Sequence, residues 1–321
     1  MGEQTSTART RTALQAAHLY YMQDMTMDAI ARELRTSRSS VSRLLSFARA
    51  SGLVDIRIAS PLEQPDRLAD EIAERFGIVC HIVPVPDQIS EVDRLERVAM
   101  SAARILGTFF DSNMVMGVAW GSTVSAVSRH LIAKQTHNSQ IVQLNGAANY
   151  QTTGIGYASE ILSRFGAAFG ASVQQFPVPA FFDDPATKRA LWRERSIRRV
   201  LAIQRRMEVA LFGLGSPSAE VPSHVFAGGY LSKDDFRTLA RDGVVGDVAT
   251  VFYRADGSYS SLELNDRSSG PDLGQLRRVS RRVCVVSGSA KLAALQGALA
   301  ARLITDLVVD EATARALVEQ D

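Results

Sequence analysis

The chain has few cysteines, few lysines and no long apolar run, and each scarcity excludes a class of protein. Its 321 residues include only Cys80 and Cys284, which excludes a disulfide scaffold and a four-cysteine zinc site and fits a reducing compartment. The five histidines form no i, i+4 pair, so we expect no metal site and no cofactor. The first residues lack the apolar core of a signal peptide, and the uncharged stretches are interrupted by Gly, Gln and Pro. We therefore predict a cytoplasmic protein without a membrane span.

The charge of the chain is unevenly distributed. Hydrophobic residues make up 46% and charged residues 22% of the sequence, which are values typical of globular domains. Residues 1–60 hold eight arginines and five acids, whereas residues 61–321 hold 28 bases and 29 acids. A small basic head on a nearly neutral body is the balance expected where the head alone meets a polyanion.

The head has the spacing of three short helices. Apolar residues recur at helical intervals over residues 12–23, over the segment after Thr26 and over the segment after Ser37. We predict Thr26 and Ser37 as N-caps and Gly52 as the residue that ends the third helix. The predicted inward residues are Ala13, Ala16, Ala17, Tyr20, Ile30, Ala31, Leu34, Val41, Leu44, Leu45 and Ala48. This is the buried pattern of a helix-turn-helix, although Arg35 stands in the turn where glycine is common.

The outer face of the third helix suits contact with duplex DNA. Guanidiniums pair with guanine edges and phosphates, and short hydroxyls allow close approach to the groove. The alternative is a solvated helix face that happens to carry arginines. The candidate DNA-binding residues are Thr26, Ser37, Arg38, Ser39, Ser40, Ser42, Arg43, Arg49 and Arg57.

A short alternating segment follows the third helix. Residues 53–58 read as a strand that forms a wing, with Arg57 placed for a phosphate. Two prolines then mark a linker. We predict a winged helix-turn-helix domain at 1–58, a linker at 59–65, and an effector-binding and oligomerisation domain at 66–321.

Apolar strands alternate with helices throughout the body. Predicted strands cover 78–85, 114–120, 141–147, 171–178, 208–215, 248–253, 281–288 and 304–309, and one predicted helix runs over 186–206. Continuous Val, Ile and Leu strands separated by helices predict a three-layer α/β domain with a mostly parallel sheet covered on both faces.

Small and polar residues follow four of these strands. Ligands bind at the carboxyl ends of parallel strands, and a glycine-serine turn that opens a helix suits a phosphate. Plain turn chemistry is the alternative for each turn alone, and four turns on one sheet edge favour a pocket. Asp247, read as a loop acid at a strand start, either accepts sugar hydroxyls or caps a turn. The candidate effector-binding residues are Gly121, Ser122, Thr123, Asn145, Gly146, Gly213, Gly215, Ser216, Asp247 and Lys291.

These motifs, taken in order, resemble the SorC/DeoR family of bacterial sugar-responsive transcriptional regulators over nearly the whole chain. The head contributes Ser37-Arg-Ser-Ser-Val-Ser-Arg-Leu-Leu45 and Gly52-Leu-Val. The body contributes Gly117-Val-Ala-Trp-Gly-Ser-Thr123, Val142-Gln-Leu-Asn-Gly146, Gly213-Leu-Gly215, Gly246-Asp247, Gly288-Ser-Ala-Lys291 and Ile304-Thr-Asp306 before Glu311-Ala-Thr-Ala314.

The resemblance implies a fold, partners and residue roles. It implies an effector domain similar to sugar-phosphate isomerases and deaminases that serves as a sensor, and a homotetramer, a dimer of dimers, on operator DNA. It implies that Gly121, Ser122, Thr123 and Lys291 hold the phosphate or polar end of the effector, while Asn145 and Asp247 face the sugar. The chain has Ser287-Gly where the family has Gly-Gly, which leaves an unphosphorylated sugar or polyol open.

The sequence thus predicts a transcriptional regulator of a carbohydrate or polyol catabolic operon, not an enzyme. Two alternative functions are considered beside this one. The first is an active sugar-phosphate isomerase or deaminase with an appended DNA-binding head, and the expected lack of a histidine–carboxylate cluster at the strand ends counts against it. The second is an architectural DNA-binding protein with no ligand.

Overall fold

The computed structural model of the chain describes residues 2–54, 65–86, 88–217 and 223–319. By their internal contacts these separate into two compact units, Met1–Glu63 and Gln64–Asp321. Residues 55–58 of the predicted wing, which include Arg57, and residues 59–64 of the predicted linker lie outside the described residues. No helix in the described ranges is both long and apolar enough to span a bilayer.

Within residues 2–54, the first unit has three helices around one small core. They are α1 (Gly2–Tyr21), α2 (Met27–Glu33) and α3 (Arg38–Ala50). The buried core is formed by Ala13, Ala16, Ala17, Leu19, Ile30, Ala31, Val41, Leu45 and Ala48. Of the predicted inward residues, Tyr20, Leu34 and Leu44 are only half-buried at its edge. The helical spacing in the sequence therefore identified most of the core.

The predicted caps of these helices are present. Thr26 Oγ1 accepts a hydrogen bond from Ala29 N at 3.3 Å, and Ser37 Oγ accepts one from Ser40 N at 3.1 Å. Gly52 has φ +72°, as a glycine after a helix end commonly has. Arg35, between α2 and α3, has φ +49°. The turn therefore holds a non-glycine residue in the left-handed region, where the Cβ is crowded.

The second unit is built on a seven-stranded parallel sheet with the order β1-β9-β8-β5-β2-β3-β4. The strands of this sheet are β1 (Val79–Val83), β2 (Val115–Val118), β3 (Gln140–Gln143), β4 (Ser172–Gln174), β5 (Val209–Gly213), β8 (Arg281–Val286) and β9 (Asp306–Asp310). A separate antiparallel pair is formed by β6 (Val244–Val248) and β7 (Val251–Arg254).

Helices cover both faces of the sheet. The helices are α4 (Pro65–Phe76), α5 (Glu91–Phe109), α6 (Ser122–Arg129), α7 (Ile155–Phe169), α8 (Pro185–Leu191), α9 (Arg195–Gln204), α10 (His224–Ala227), α11 (Lys233–Arg241), α12 (Glu263–Arg267), α13 (Leu273–Leu276), α14 (Leu292–Ala300) and α15 (Glu311–Glu319). Alternate residues of β8 enter different cores: Val283 and Val285 pack with α5, α6 and α7, whereas Cys284 and Val286 pack with α4, α14 and α15. This is the predicted three-layer arrangement, in which both faces of a parallel sheet are buried.

The strand order reverses direction at β2. From β2 the chain adds β3 and β4 on one side, then returns to place β5 on the other side, followed by β8 and β9. A crevice forms at such a switch point, and open α/β sheets bind ligands there.

Two predicted elements were wrong. The strand over 248–253 is instead a hairpin that turns at Ala249 (φ +47°) and Thr250 (φ +71°), and neither residue is the Gly or Asn that marks such turns in a sequence. The helix over 186–206 is split into α8 and α9. The break lets Trp192 pack edge-on against Phe176 and Phe182.

Candidate functional site

A narrow polar cleft lies at the carboxyl ends of β8, β5, β2 and β3, which are neighbours in the sheet. Its volume is about 40 Å³, close to the space of one water molecule. The residues in its wall are Ala119, Trp120, Gly121, Ser122, Thr123, Val124, Asn145, Gly213, Leu214, Gly215, Ser223, His224, Val225, Asp247, Ala249, Thr250 and Lys291. Eight of the ten predicted effector-binding residues are therefore brought together.

The N-terminus of α6 forms one side of the cleft. Gly121 precedes the helix with φ +146°, a conformation that favours glycine. The next residues, Ser122 and Thr123, begin α6 and add two hydroxyls, and Thr123 is buried. The first amides of a helix have no partner within it and carry a partial positive charge. This side of the cleft therefore suits an anion or a polar ligand oxygen.

Lys291 faces this helix start from the turn after β8. Its Nζ lies 3.5 Å from Thr123 Oγ1, and the residue is only 7% exposed. Burial lowers the pKa of Lys291, against the opposing pull of Cys284, Asp247 and Glu91. A buried ammonium that lacks a close carboxylate gains most from a negatively charged ligand.

The turn that carries Lys291 is fixed by the end of β9. Gly288 N donates to Asp310 Oδ2 at 2.8 Å, and Arg94 Nη1 donates to Asp310 Oδ1 at 3.3 Å. Asp310 also accepts from both the amide and the hydroxyl of Thr313. Asp310 thus positions the lysine without itself lining the cleft.

Asp247 is another residue of the cleft wall, and it is fully buried. Its Oδ2 accepts from Thr250 N at 3.0 Å, while its Oδ1 has no hydrogen-bond partner among the described residues. Burial raises the pKa of Asp247 to about 7, although the Thr250 amide and Lys291 act in the opposite direction. The sequence-based placement of Asp247 in a loop at a strand start was wrong, since it lies within β6 near the carboxyl end of that strand. The hairpin turn after β6 is the reason.

Gly215 is the residue that lets Asp247 approach the main sheet. The two residues exchange backbone hydrogen bonds of 3.0 and 3.1 Å. A Cβ at Gly215 would lie 1.8 Å from Asp247 Oδ1. Only glycine fits at this position while the carboxylate stays where it is.

Asn145 supplies a second buried acceptor without a partner. Its Oδ1 is buried and unbonded within the described part of the chain. Its carbonyl oxygen accepts from Gln143 Nε2 at 2.7 Å and from Trp120 Nε1 at 3.2 Å. Buried polar atoms are nearly always hydrogen-bonded, so two unpaired oxygens in one cleft indicate a place where ligand hydroxyls donate.

Two predicted residues lie beside the cleft rather than in its wall. Gly146 N donates to Ser269 Oγ at 2.9 Å, and its Cα packs against the carbonyl of Val178. Ser216 Oγ donates to Ala290 O at 3.3 Å. Neither residue is in the cleft wall as the structure has it, and their assignment to the ligand surface stays a prediction.

Sequence reasoning missed nine residues of the wall, and four of these are polar or aromatic. Trp120 stood within a quoted motif but was given no role, and its ring packs on Tyr230 at 5.1 Å. Thr250 lies in the unforeseen hairpin turn, and Ser223 and His224 lie at the start of α10. The ring of His224 packs at a tilt against Tyr157, with the ring centroids 4.8 Å apart, and burial lowers the pKa of His224. His224 and Asp247 both line the cleft, and the expectation that no histidine–carboxylate cluster lies at the strand ends stays a prediction.

In the first unit, the predicted DNA-binding side chains differ in their exposure and in their contacts with other residues. Ser39, Ser42 and Arg43 are exposed on α3. Arg38 lies 3.7 Å from Asp28 in an exposed ion pair. Arg49 donates to Tyr21 Oη at 3.1 Å and so is held against α1.

The hydroxyls at the start of α3 are engaged with one another. Ser37 Oγ is 2.9 Å from both Ser39 Oγ and Ser40 Oγ. Thr26 and Ser37 serve as caps, and Arg57 lies outside the described residues.

Comparisons with known proteins agree over the whole length. A family model described as "Putative sugar-binding domain" matches residues 60–319. The deoxyribonucleoside regulator of Bacillus subtilis (strain 168) is 33% identical over 309 residues, which cover 95% of this chain and 96% of that protein. The sorbitol operon regulator of Klebsiella pneumoniae is 25% identical over 312 residues, or 96% of this chain and 98% of that one.

Solved structures show the same architecture. A domain of "a possible sugar-binding transcriptional regulator" from Arthrobacter aurescens TC1 has a TM-score of 0.76 and 57% identity, covering 81% of this chain and 100% of that one. The full-length sorbitol operon regulator SorC from Klebsiella pneumoniae has a TM-score of 0.72 over 97% of this chain and 99% of that one, and its 24% identity speaks for the fold alone. By its matched domain and its relatives, the chain belongs to the SorC/DeoR family of bacterial sugar-responsive transcriptional regulators.

Proposed function

We propose that the protein regulates a carbohydrate or polyol catabolic operon by binding operator DNA through α1–α3 and a sugar, polyol or sugar phosphate in the cleft of the second unit. The observation that carries the effector half is the meeting of Lys291, the start of α6 and the two unpaired oxygens of Asp247 and Asn145. One end of such a cleft suits an anion, and the other accepts hydroxyl protons.

The three helices of the first unit have the form of a helix-turn-helix. The capped turn between α2 and α3 leaves the polar face of α3 exposed, with Arg43, Ser39 and Ser42 on it. A recognition helix inserts such a face into the major groove, where arginine reads guanine and other side chains contact phosphates. Arg49, which bonds to Tyr21, then helps orient α3 rather than reading bases.

The small cleft volume suggests a link between ligand binding and a change of shape. Ligand sites usually measure about 300–1,000 Å³ and the cleft measures about 40 Å³, so we infer that its walls separate when a sugar binds. A ligand that binds the open form better shifts the population towards it. Allosteric coupling of this kind is typically worth about 1–3 kcal/mol.

We further propose a cytoplasmic homotetramer, a dimer of dimers, that pairs heads on DNA. Half-sites read by paired recognition helices lie about 34 Å apart along the duplex. A change in the second unit then alters DNA affinity by altering head spacing. One relative is named a deoxyribonucleoside regulator and another a sorbitol operon regulator, which supports pentose- and hexose-derived effectors and polyols as the first candidates.

His224 and Asp247 both line the cleft. A second candidate function is therefore that of a sugar-phosphate isomerase or deaminase. An acid with a pKa near 7 and a histidine in the wall of one cleft are two groups of the kind that proton transfer uses. Turnover of pentose and hexose phosphates by the purified protein tests it. We expect no turnover, since hydrogen bonds from ligand hydroxyls explain the unbonded oxygens of Asp247 and Asn145.

The proposal is tested by a thermal-shift screen followed by a DNA-binding assay. The screen uses hexoses, pentoses, their polyols and their phosphates. A true effector at 100 times its dissociation constant stabilises the protein by about 2.7 kcal/mol, and the same compound changes the affinity for a duplex selected from a random pool by the wild-type protein. A ligand that stabilises without altering DNA affinity contradicts the regulatory link. Failure of the pool to enrich any duplex contradicts the DNA-binding half.

A further inference from the structure

The second unit carries a strongly basic segment that neither the cleft nor the first unit accounts for. Residues 188–206 hold eight bases and one acid, Glu194. Since residues 61–321 contain 28 bases and 29 acids in all, the rest of this range holds 20 bases and 28 acids. Positive charge is thus concentrated in one short stretch of an otherwise acidic domain.

Seven arginines of this segment are exposed. They are Arg189, Arg193, Arg195, Arg198, Arg199, Arg205 and Arg206. Within the described ranges, none lies within 4 Å of a carboxylate. Many other exposed arginines are paired, as Arg237 is with Asp234 and Arg315 with Glu311. Within residues 188–206, one acid, Glu194, stands against eight bases.

The arginines of α9 line a groove. One surface cavity of about 520 Å³ has Arg195, Arg198, Arg199 and Arg205 in its wall. A second cavity of about 450 Å³ shares Arg205, Trp192 and Leu201 with the first. Its wall also contains Arg278. The acid in its wall is Asp272. The two cavities adjoin at these shared residues and have five arginines and one acid in their walls, and we call them together the α9 groove.

The size and exposure of this surface point to a polyanion. From Arg195 to Arg205 the helix advances about 15 Å at 1.5 Å per residue, which is longer than any single phosphate. Exposed ion pairs with a small anion are worth little in water. A polyanion gains instead from the release of its condensed counterions, and about 15 Å of duplex carries roughly four phosphates per strand.

We propose that the α9 groove is a second contact for duplex DNA, which binds the phosphate backbone without reading sequence. The inference extends the proposed function, because it gives the effector-binding unit its own affinity for DNA. A duplex held by the first unit is at high effective concentration for a second site on the same chain, and this favours DNA over an acidic protein as the occupant.

The experiment measures the salt dependence of binding to a 40-base-pair duplex of arbitrary sequence. Each lost phosphate contact reduces the slope of log K against log salt by about 0.9. We expect full-length Arg198→Gln/Arg199→Gln to reduce that slope by about 1.8. The matched control, Arg97→Gln/Arg302→Gln, removes two exposed arginines elsewhere in the unit and leaves the slope unchanged. Unaltered thermal unfolding of both variants shows that the fold persists.

Three outcomes separate the possibilities. Equal losses in the groove variant and the control overturn the proposal, because net charge alone then explains the effect. An unchanged slope with loss of the oligomer in sedimentation also overturns it and makes the groove an interface between copies. Arg38→Gln/Arg43→Gln tests the first unit separately: if that variant binds normally while the groove variant does not, the DNA-binding role of α3 fails and the groove proposal stands.

Discussion

Lys291 Nζ lies 3.5 Å from Thr123 Oγ1, although 168 residues separate the two in the chain. The lysine follows β8 and the threonine begins α6 after β2, with β5 between them in the sheet. The parallel order of these strands brings the ammonium and the helix start to one edge. Both favour a negatively charged ligand oxygen at the same point.

Replacing this lysine should remove the response to an anionic effector. Lys291→Met keeps the length of the buried side chain and deletes its charge, so we expect at least tenfold weaker binding of a sugar phosphate that stabilises the wild type. Thermal shift against ligand concentration measures the change. Lys233→Met, at an exposed lysine on α11, is the control. An unchanged titration for Lys291→Met contradicts the role given to the ammonium, and an unphosphorylated effector is then favoured.

Asp247 should make the unliganded protein less stable as the pH rises. Its pKa is about 7 in the folded protein and about 3.9 in an unfolded chain, so the folded state binds the proton more tightly between these values. Stability from this group is therefore present at low pH and is lost as pH rises through about 7. At 1.36 kcal/mol per unit the loss is at most about 4 kcal/mol.

The variant Asp247→Asn removes this contribution. We expect its stability relative to the wild type to increase between pH 5 and pH 8 in urea unfolding. Asp256→Asn is the control, because Asp256 is exposed and its pKa is lowered by Ser258. Parallel pH curves for Asp247→Asn and the wild type would show that Asp247 titrates normally.

Gly215→Ala should disturb the cleft. The new Cβ would lie 1.8 Å from Asp247 Oδ1, so either the carboxylate or the backbone pairing of the two residues has to move. Overpacking of this kind costs about 1–3 kcal/mol. Gly107→Ala in α5 is the matched control, because nothing lies within 4 Å of its Cβ and alanine in a helix gains about 0.5–1 kcal/mol over glycine. Urea unfolding of the two variants should shift in opposite directions.

Arg43 should contribute directly to DNA binding. It is exposed on α3 and bonds only weakly, at 3.4 Å, to Ser40. Arg43→Ala should weaken binding to a duplex selected by the wild type by about 1–3 kcal/mol if it reads a base. Arg237→Ala, an exposed arginine of the second unit, serves as the control. Fluorescence anisotropy that gives the same affinity for all three proteins removes Arg43 from the recognition surface.

Local chemistry explains what could be predicted from the sequence. A buried strand followed by a glycine-serine turn is visible in the sequence itself, and parallel strands put all such turns on one edge. Gly121, Gly213 and Lys291 were therefore predicted to lie together, as they do. The helical core of the first unit was predicted for the same reason, since its spacing is local.

Tertiary packing explains what could not be predicted. The hairpin turn at Ala249 and Thr250 uses left-handed residues that are not glycine, so no turn signal marked it and Asp247 was misplaced. His224 reaches the cleft from a four-residue helix whose position depends on contacts with Tyr157 and not on any periodic pattern. Trp192 ends α8 because its ring packs against two phenylalanines from distant segments.

Asp247 belongs to the β6–β7 hairpin, whereas Lys291 and Thr123 follow strands β8 and β2 of the main sheet, and the Gly215–Asp247 pair joins hairpin and sheet. An effector whose hydroxyls bind the hairpin and whose anionic group binds at the sheet edge would set the distance between them. The separation of the two pieces would then follow the carbon count of the molecule. Pentose and hexose derivatives with the same functional groups would therefore be distinguished by their length.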